Sequence, residues 1–399
     1  MQDMQETLSS KSMSAQTTSA KISRRLKFLL KRLILPALLL TQAALSDSAA
    51  GQNLTDLSRP LQVRWLFKAE EVTNLTPAAD DERAYLPLSN GTIVSVRLSD
   101  GALVWRSDIG GTLSAAPAVD NRNVFVASES LPTPKSVYPQ ATGVMRALSR
   151  QSGLTSWMRT LPSPARGTVH LNGQNLLFTS SDGRLYALKK ETGEIRWIKY
   201  NSSPFSTVHL LDEKTLYASD TYGDILSIEA ENGNTLWRYR TRKALRAPVA
   251  VYGNMVYAGT SDGFVYAIDR LTGRLRWRVR TGAAIQAVLA GERWVLATSL
   301  DNFVYCLSPP NGAKVWKRQL AGRVTAPPLV VNNYVLLAPL VGDECVVLNL
   351  EDGKKVNSVY VGEDNNTEAA PLLRADALLL TTREGLMALN VNAQTPDAP

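Results

Sequence analysis

A tryptophan recurs in this chain with a period of about forty residues, and that period constrains the fold more than any other feature. The successive gaps are 40, 52, 40, 40, 40 and 39 residues. A fixed period in this range indicates repeated units that stack or close into a ring. The tryptophans of the repeat are Trp65, Trp105, Trp157, Trp197, Trp237, Trp277 and Trp316.

Each repeat predicts a hairpin whose second strand contains the tryptophan. In the clearest repeat, strand-forming residues at 265–268 are followed by a Thr-Gly turn at 272–273 and then by Trp277. Glycine supplies the positive φ angle that such a turn needs. Arginines then alternate with Leu275, Trp277 and Val279, which predicts a returning strand with one wet face and one buried face.

A second pair of short strands precedes each hairpin. In the same repeat, residues 247–251 turn at 252–254 into residues 255–258, and comparable starts occur eight times along the chain. Several of these first strands contain proline, which cannot donate a backbone hydrogen bond to a neighbouring strand and therefore fits an edge strand. Four strands per forty residues predict an all-β fold, an eight-bladed β-propeller of four-stranded antiparallel blades over residues 61–390.

The two ends of the array predict how the ring closes. The seventh repeat has Asn357 where a tryptophan is expected, and the last repeat ends near residue 389 without a fourth strand. A spare strand at residues 63–67 precedes the first complete repeat. We therefore expect the N-terminal strand to complete the last blade, which also removes exposed sheet edges.

The repeated tryptophans are expected to join neighbouring blades. A large flat ring at one fixed place in each blade can pack against a small residue of the next blade. The alternative is a cofactor stacked on a tryptophan ring. The small residues expected to receive the rings lie five positions before the residue that precedes each turn glycine, at Ser95, Ala147, Ala187, Ser227, Ala267 and Cys306.

The repeat resembles the quinoprotein-type (PQQ-like) propeller repeat, whose signature is an Ala-x-Asp, Thr-Gly and Trp run. Residues 266–277 match this pattern closely, residues 186–197 nearly as well, and the resemblance covers residues 61–390. One related group, the quinoprotein alcohol dehydrogenases, implies bound pyrroloquinoline quinone and calcium. Another, the BamB-type outer-membrane assembly factors, implies a non-enzymatic periplasmic scaffold of similar length and blade number.

The motifs favour the scaffold over the dehydrogenase. The quinoprotein enzymes carry adjacent cysteines in a vicinal disulfide and a calcium-binding acid–amide set, whereas Cys306 and Cys345 are 39 residues apart. We expect both to be free, buried thiols. The chain has no Gly-rich phosphate loop, nucleophile elbow or HExxH motif. We therefore predict no catalytic residues and no cofactor, with a PQQ- or small-ligand-binding dehydrogenase relative as the alternative.

The only two histidines, His170 and His209, occupy equivalent positions in two Thr-Val-His-Leu runs. They can approach each other across neighbouring blades and hold a metal ion. The equivalent positions elsewhere are aliphatic or proline, and the sequence offers no third and fourth ligand. The favoured interpretation is packing between blades, with no metal site.

The first fifty residues are predicted to lie outside the propeller. A basic stretch at 21–32, an apolar run at 33–40 and small residues at 48–50 are typical of a secretory signal in a disordered N-terminus. The apolar run is too short to span a membrane. No cysteine lies near the cleavage region, so a lipid anchor by that route is not indicated. We expect a periplasmic or otherwise exported protein of the bacterial cell envelope, with a disordered tail at 391–399.

The charge balance argues against a nucleic-acid partner. Of the net charge of +8, half falls in the first fifty residues, and the remainder of the chain has 37 basic against 33 acidic residues. A dedicated nucleic-acid binder would carry a dominant basic surface. We expect a monomeric propeller with protein partners, including the outer-membrane barrel assembly machinery.

One face of the propeller is the predicted partner site. The twelve extra residues of the second repeat, 129–140, contain three prolines that keep them out of the sheet, and loops on rigid scaffolds often carry function. A neutral insertion is the alternative. This loop shares a face with the links between blades, so that face is expected to dock an acidic or extended polypeptide; a polysaccharide is a further option. The predicted binding residues are Arg242, Lys243, Arg246, Arg323 and Tyr138. Trp294, outside the repeat, is interpreted as a strand residue.

Overall fold

The protein is built of β-strands. A computed structural model describes residues 56–130, 141–210 and 214–390, and every regular element in those ranges is a strand. None of these residues forms a helix of the length and apolar character needed to cross a membrane. The predicted signal segment, the predicted C-terminal tail and Tyr138 lie outside the described residues. The strands form six four-stranded sheets and one eight-stranded sheet, an arrangement typical of a β-propeller.

The eight-stranded sheet is two four-stranded units joined by one parallel bridge, between Thr168 and Ala116. We number the four-stranded units 1 to 8. Units 1 to 4 comprise β2 Ala78–Ala79, β3 Arg83–Pro87, β4 Thr92–Arg97, β5 Leu103–Asp108; β6 Thr112–Val119, β7 Asn123–Ser130, β8 Thr142–Ser149, β9 Thr155–Leu161; β10 Ala165–Asn172, β11 Asn175–Ser180, β12 Leu185–Lys189, β13 Ile195–Lys199; and β14 Phe205–Leu210, β15 Thr215–Asp220, β16 Asp224–Glu229, β17 Thr235–Arg240. Units 5 to 8 comprise β18 Ala250–Tyr252, β19 Met255–Gly259, β20 Phe264–Asp269, β21 Leu275–Arg280; β22 Ile285–Ala290, β23 Val295–Ser299, β24 Phe303–Leu307, β25 Lys314–Gln319; β26 Leu329–Val331, β27 Tyr334–Leu337, β28 Glu344–Asn349, β29 Lys355–Tyr360; and β30 Leu372–Arg374, β31 Ala377–Thr382, β32 Gly385–Asn390 with β1 Gln62–Lys68.

The strands of each unit follow one another across the sheet in antiparallel order, except in unit 8. There the order is β30, β31, β32 and then β1, so a strand from the start of the described chain lies beside the strand that ends it. The pairing of β1 with β32 runs from Gln62 opposite Asn390 to Lys68 opposite Gly385. The N-terminal strand is thus the fourth strand of unit 8.

The fourth strand of each unit has a β-bulge directly before the repeat position. In unit 5, Ala267 lies opposite Trp277 and Ile268 lies opposite Leu275, so Arg276 is an extra residue. The alternation read from the sequence placed Leu275 on the buried face, and that prediction is wrong, because the bulge changes the direction of the side chains before it. Leu275 is 39% exposed.

The hydrophobic core lies between the units. One cluster joins Tyr85, Ile93 and Trp105 of unit 1 to Val124 and Leu148 of unit 2. Equivalent clusters join the other neighbours, including units 7 and 8 and units 8 and 1. A single unit cannot bury its apolar faces alone, so neighbouring units depend on each other for stability.

Trp294 is not part of a strand. It lies in the turn directly before β23, which begins at Val295. Its ring folds over Gly291, where an added Cβ atom would come within 2.6 Å of the indole. The interpretation of Trp294 as a strand residue is therefore wrong by one position, since the turn ends at that residue.

Candidate functional site

Each repeat tryptophan donates a hydrogen bond from its indole nitrogen to a backbone carbonyl of the following unit. These bonds have similar lengths, and their acceptors lie directly before or within the turn between the third and fourth strands. The pairs are Trp65 to Leu98 (2.8 Å), Trp105 to Arg150 (2.9 Å), Trp157 to Lys190 (2.9 Å), Trp197 to Ala230 (3.2 Å), Trp237 to Arg270 (2.7 Å), Trp277 to Pro309 (2.7 Å) and Trp316 to Leu350 (2.8 Å).

The indole rings also lie against the turn glycine of the following unit. Gly273 has a φ angle of 68°, and a Cβ atom there would come within 2.8 Å of the Trp237 ring. The small residues named from the sequence have a different place. Ser95 lies opposite Trp105 within its own sheet, with Tyr85 on its other side. A small side chain between them leaves space for the rings of Tyr85 and Trp105 to approach to 5.8 Å.

Asn357 continues the series of donors in unit 7. Its Nδ2 atom donates to the carbonyl of Leu57 at 2.9 Å and to that of Arg59 at 2.6 Å. Both acceptors belong to the segment that leads into β1, the fourth strand of unit 8. The amide therefore contacts the following unit, as the indoles do.

His170 and His209 lie on β10 and β14 and are half-buried. Burial, followed by the charge of His209, lowers the pKa of His170 to about 4, while a hydrogen bond to the backbone of Val208 acts in the opposite direction. Burial also lowers the pKa of His209. In the described part of the chain, no three His, Cys, Asp or Glu side chains are grouped so that they could hold a metal ion.

Lowering the pH should destabilise the protein through His170. Its pKa in the folded protein is below the ordinary value of 6.5, so the unfolded chain binds more protons between about pH 6.5 and 4. The stabilisation is complete above that window and is lost as the pH falls through it, by at most about 3 kcal/mol for this group. We expect His170→Leu, which introduces the residue found at the equivalent Leu289, to reduce the difference between urea denaturation curves at pH 7 and 4.5. An unchanged difference would contradict this.

The two cysteines are free and buried, which confirms the expectation of free, buried thiols. Burial raises the pKa of each thiol to about 12, and the charge of Glu344 adds to the effect at Cys345. A thiol with so high a pKa is neutral at physiological pH, and the thiolate is the nucleophilic form. Neither cysteine is therefore suited to act as a nucleophile.

Three of the predicted basic residues lie in the link between units 4 and 5, and a hydrogen bond holds the start of this link to the sheet of unit 4. The Thr241 hydroxyl lies 2.8 Å from the carbonyl oxygens of both Gly223 and Lys243. Arg242, between them, has a φ angle of 64°, which is unusual for a residue other than glycine. In the link between units 5 and 6, the Thr281 hydroxyl makes the equivalent contacts with the carbonyl oxygens of Gly263 and Ala283, but this link lacks the two basic side chains. A strained residue held by its surroundings is often found at a functional site.

A cleft of about 450 Å³ lies beside this link. It is lined by Arg242 and Arg240, by the exposed ring of Tyr222, by two serines and by Asp224. The buried Asp224 carboxylate accepts two hydrogen bonds from Arg240, at 2.8 and 3.2 Å. Asp224 also lies 3.4 Å from Arg238, so two arginines share its charge, whereas Arg242 has no acidic partner among the described residues.

The structure brings together only part of the predicted set. Arg242, Lys243 and Arg246 are exposed and share one link, while Arg323 is exposed in the link between units 6 and 7. Within the described ranges, none of these four side chains forms an ion pair. They present uncompensated positive charge in the links that lead into the first strands of units 5 and 7. Tyr138 lies outside the described residues.

Tyr222 was missed by the sequence analysis. It is 72% exposed at the turn between β15 and β16. The equivalent turns of units 3 and 5 read Ser-Asp-Gly at 181–183 and 261–263, whereas unit 4 reads Thr-Tyr-Gly. An aromatic residue in a turn that otherwise holds aspartate is the signal that could have identified it.

Comparison with known proteins identifies the family and the fold. The family model described as outer membrane protein assembly factor BamB matches residues 89–210, 202–292 and 265–393. No curated protein matches the sequence significantly.

Three solved structures share the fold at low sequence identity. BamB from Moraxella catarrhalis has a TM-score of 0.68 and 15% identity, covering 83% of this chain and 97% of that one. Quinohemoprotein alcohol dehydrogenase from Comamonas testosteroni has a TM-score of 0.66 and 12% identity, covering 85% and 78%. Sqt1 of Saccharomyces cerevisiae has a TM-score of 0.69 and 9% identity, covering 84% and 99%. Because the family model covers well over half of the sequence, the chain belongs to the family of the outer membrane protein assembly factor BamB.

Proposed function

We propose that this protein is a non-catalytic, exported β-propeller scaffold that binds protein partners during outer-membrane protein assembly. The observation that carries the proposal is the family match, which extends through residues 89–393. The partners proposed are components of the barrel assembly machinery of the same cell envelope. The protein acts as a monomeric propeller and needs no cofactor for this role.

The scaffold is a closed ring of eight blades in this proposal, with the tryptophans as contacts between blades. Two observations support it. The donors from Trp65 to Trp316 each reach the following unit, and Asn357 reaches the segment that leads back into unit 8. In addition, β1 pairs with β32. A closed ring leaves no unit with an open inter-unit face, so the platform is rigid.

The partner docks on the face that carries the links between units. The support is the exposed positive charge of Arg242, Lys243 and Arg246, which have no acidic partners among the described residues. Arg242 also lines one cleft with the exposed ring of Tyr222. Aromatic and arginine side chains are enriched at protein interfaces. Uncompensated basic residues favour a partner that presents acidic side chains, because complementary charge accelerates association and sets orientation.

Replacing Arg242, Lys243, Arg246 and Arg323 together with alanine should abolish pull-down of purified barrel assembly machinery. The melting temperature should change little, because these side chains are exposed and surface substitutions usually alter stability by less than about 0.5 kcal/mol each. The matched control replaces four exposed arginines elsewhere, Arg106, Arg159, Arg196 and Arg274, and should bind normally. Retained pull-down by the first variant would overturn the docking face.

A separate measurement tests the non-catalytic part of the proposal. Pyrroloquinoline quinone with calcium should leave the tryptophan fluorescence unchanged, because each repeat indole already contacts a turn glycine of the next unit. Saturable quenching at a one-to-one ratio would instead favour the quinone-binding alternative.

A further inference from the structure

The fourth strand of unit 5 carries an excess of positive charge. Five arginines fall within residues 270–280. Arg276 is paired with Asp269 at 2.6 Å. Arg278 and Arg280 are exposed and have no acidic partner within the described ranges. Their guanidinium carbons lie 5.5 and 5.9 Å from the centre of the Phe264 ring.

Unit 6 repeats this arrangement. The Lys317 ammonium lies 3.7 Å from the centre of the Phe303 ring. Phe303 follows the same Phe-x-Tyr pattern at the start of the third strand as Phe264 does. A cation over an aromatic ring is held in position without losing its charge. Units 5 and 6 therefore present fixed positive groups, whereas in unit 4 Asp224 offsets one of the two positive charges of Arg238 and Arg240.

Aliphatic side chains lie at the starts of the fourth strands of units 4, 5 and 6, which are edge strands of their sheets and are called the outer strands below. Leu236, Leu275 and Val315, from units 4, 5 and 6, are 57%, 39% and 54% exposed. Leu236 and Val315 are the extra residues of their bulges, and Leu275 directly precedes the bulge of unit 5. We call the surface formed by these three strands the outer rim. It carries apolar side chains at the start of each strand and basic side chains nearer the end of each strand.

We propose that this outer rim binds the surface of an anionic phospholipid bilayer. The lipid phosphates contact Arg278, Arg280 and Lys317, and the three aliphatic side chains enter the boundary between headgroups and acyl chains. Such a combination of cations and exposed apolar groups is what binds proteins to anionic membranes. An acidic polypeptide would match the charges alone, so the exposed aliphatic residues favour the membrane. The lipid-binding residues lie on the fourth strands of units 5 and 6, whereas the protein partner is proposed to bind at the links between units.

Vesicle sedimentation with the whole protein tests the proposal. Vesicles containing phosphatidylglycerol should bind the protein, pure phosphatidylcholine vesicles should not, and binding should weaken as salt rises. Arg278→Gln with Arg280→Gln should weaken binding by about 30-fold, because each basic residue near an anionic surface contributes roughly five-fold. The matched control, Arg106→Gln with Arg159→Gln, removes two exposed arginines from the outer strands of units 1 and 2 and should bind normally.

Two further measurements distinguish the loss of positive charge from a loss of folding. Arg278→Lys with Arg280→Lys should retain most of the binding, and every variant should keep the melting temperature of the parent protein within a few degrees. Equal weakening by the rim pair and the control pair would overturn the proposal. Binding to polyglutamate but not to the vesicles would overturn it as well, and would assign the rim to an acidic polypeptide.

Discussion

Replacing Trp237 with alanine should lower the free energy of unfolding by about 3 kcal/mol. The indole donates to the carbonyl of Arg270 at 2.7 Å, lies against Gly273, and has its ring 5.7 Å from that of Tyr217. Alanine removes the hydrogen bond, leaves the carbonyl of the next unit unpaired and opens space between two units. Urea denaturation followed by circular dichroism measures the change.

Two control variants assign the effect to the contact between units. Trp237→Phe keeps an aromatic ring but loses the N–H group, so it should cost about 1 kcal/mol. Trp294→Ala removes a half-buried tryptophan that belongs to a turn and not to the repeat, and we expect a smaller loss than at Trp237. Equal losses at Trp237 and Trp294 would contradict a joining role for the repeat tryptophans.

Replacing Gly273 with alanine should be nearly as damaging, at about 3 kcal/mol. Two costs combine there, because alanine is strained at a φ angle of 68° and its Cβ would come within 2.8 Å of the Trp237 ring. Gly253 provides a matched control, since its φ angle of 54° is also positive but no atom lies within 4 Å of an added Cβ. Gly253→Ala should cost only the backbone strain, about 1 kcal/mol.

The difference between the two glycine variants measures the contact between the turn and the indole. Thermal and urea denaturation of Gly273→Ala and Gly253→Ala, side by side with the parent protein, provide that difference. If both substitutions cost the same, the ring moves aside without loss and the close approach contributes nothing to stability.

The spacing of glycine and tryptophan was sufficient to predict the strands and their order within each sheet. A turn glycine that is followed four positions later by an aromatic residue, as in Gly273 and Trp277, indicates one strand before the turn and an antiparallel strand after it. The missing tryptophan at Asn357 and the early strand around Trp65 were also visible as departures from the period. A period is informative because each unit meets the same neighbouring surface.

Contacts between units were harder to predict from the sequence. The partner of Trp65 was expected at a small residue such as Ser95, yet Gly101 receives the ring. Sequence shows which residues are small but not which face of a sheet they lie on. The bulge within each fourth strand also changes the face of the residues that precede the repeat position. The exposure of Leu275 has the same cause.

The candidate binding face was predicted in part for a related reason. A run of basic residues such as Arg242 and Lys243 is visible in a sequence, but the pairing of the buried Asp224 with Arg238 and Arg240, and not with Arg242, is not. Whether a charge has a partner depends on residues brought together only by the fold.

The pairing of β1 with β32 has a consequence for biosynthesis. Residues 62–68 are synthesised well before the strand that they must join, residues 385–390. The backbone groups of this strand therefore stay without their partner strand while the residues between the two strands are translated. Contacts this distant along a chain form slowly, and waiting segments are prone to association with other chains. A chaperone that shields the nascent N-terminal strand should thus raise the yield of native protein.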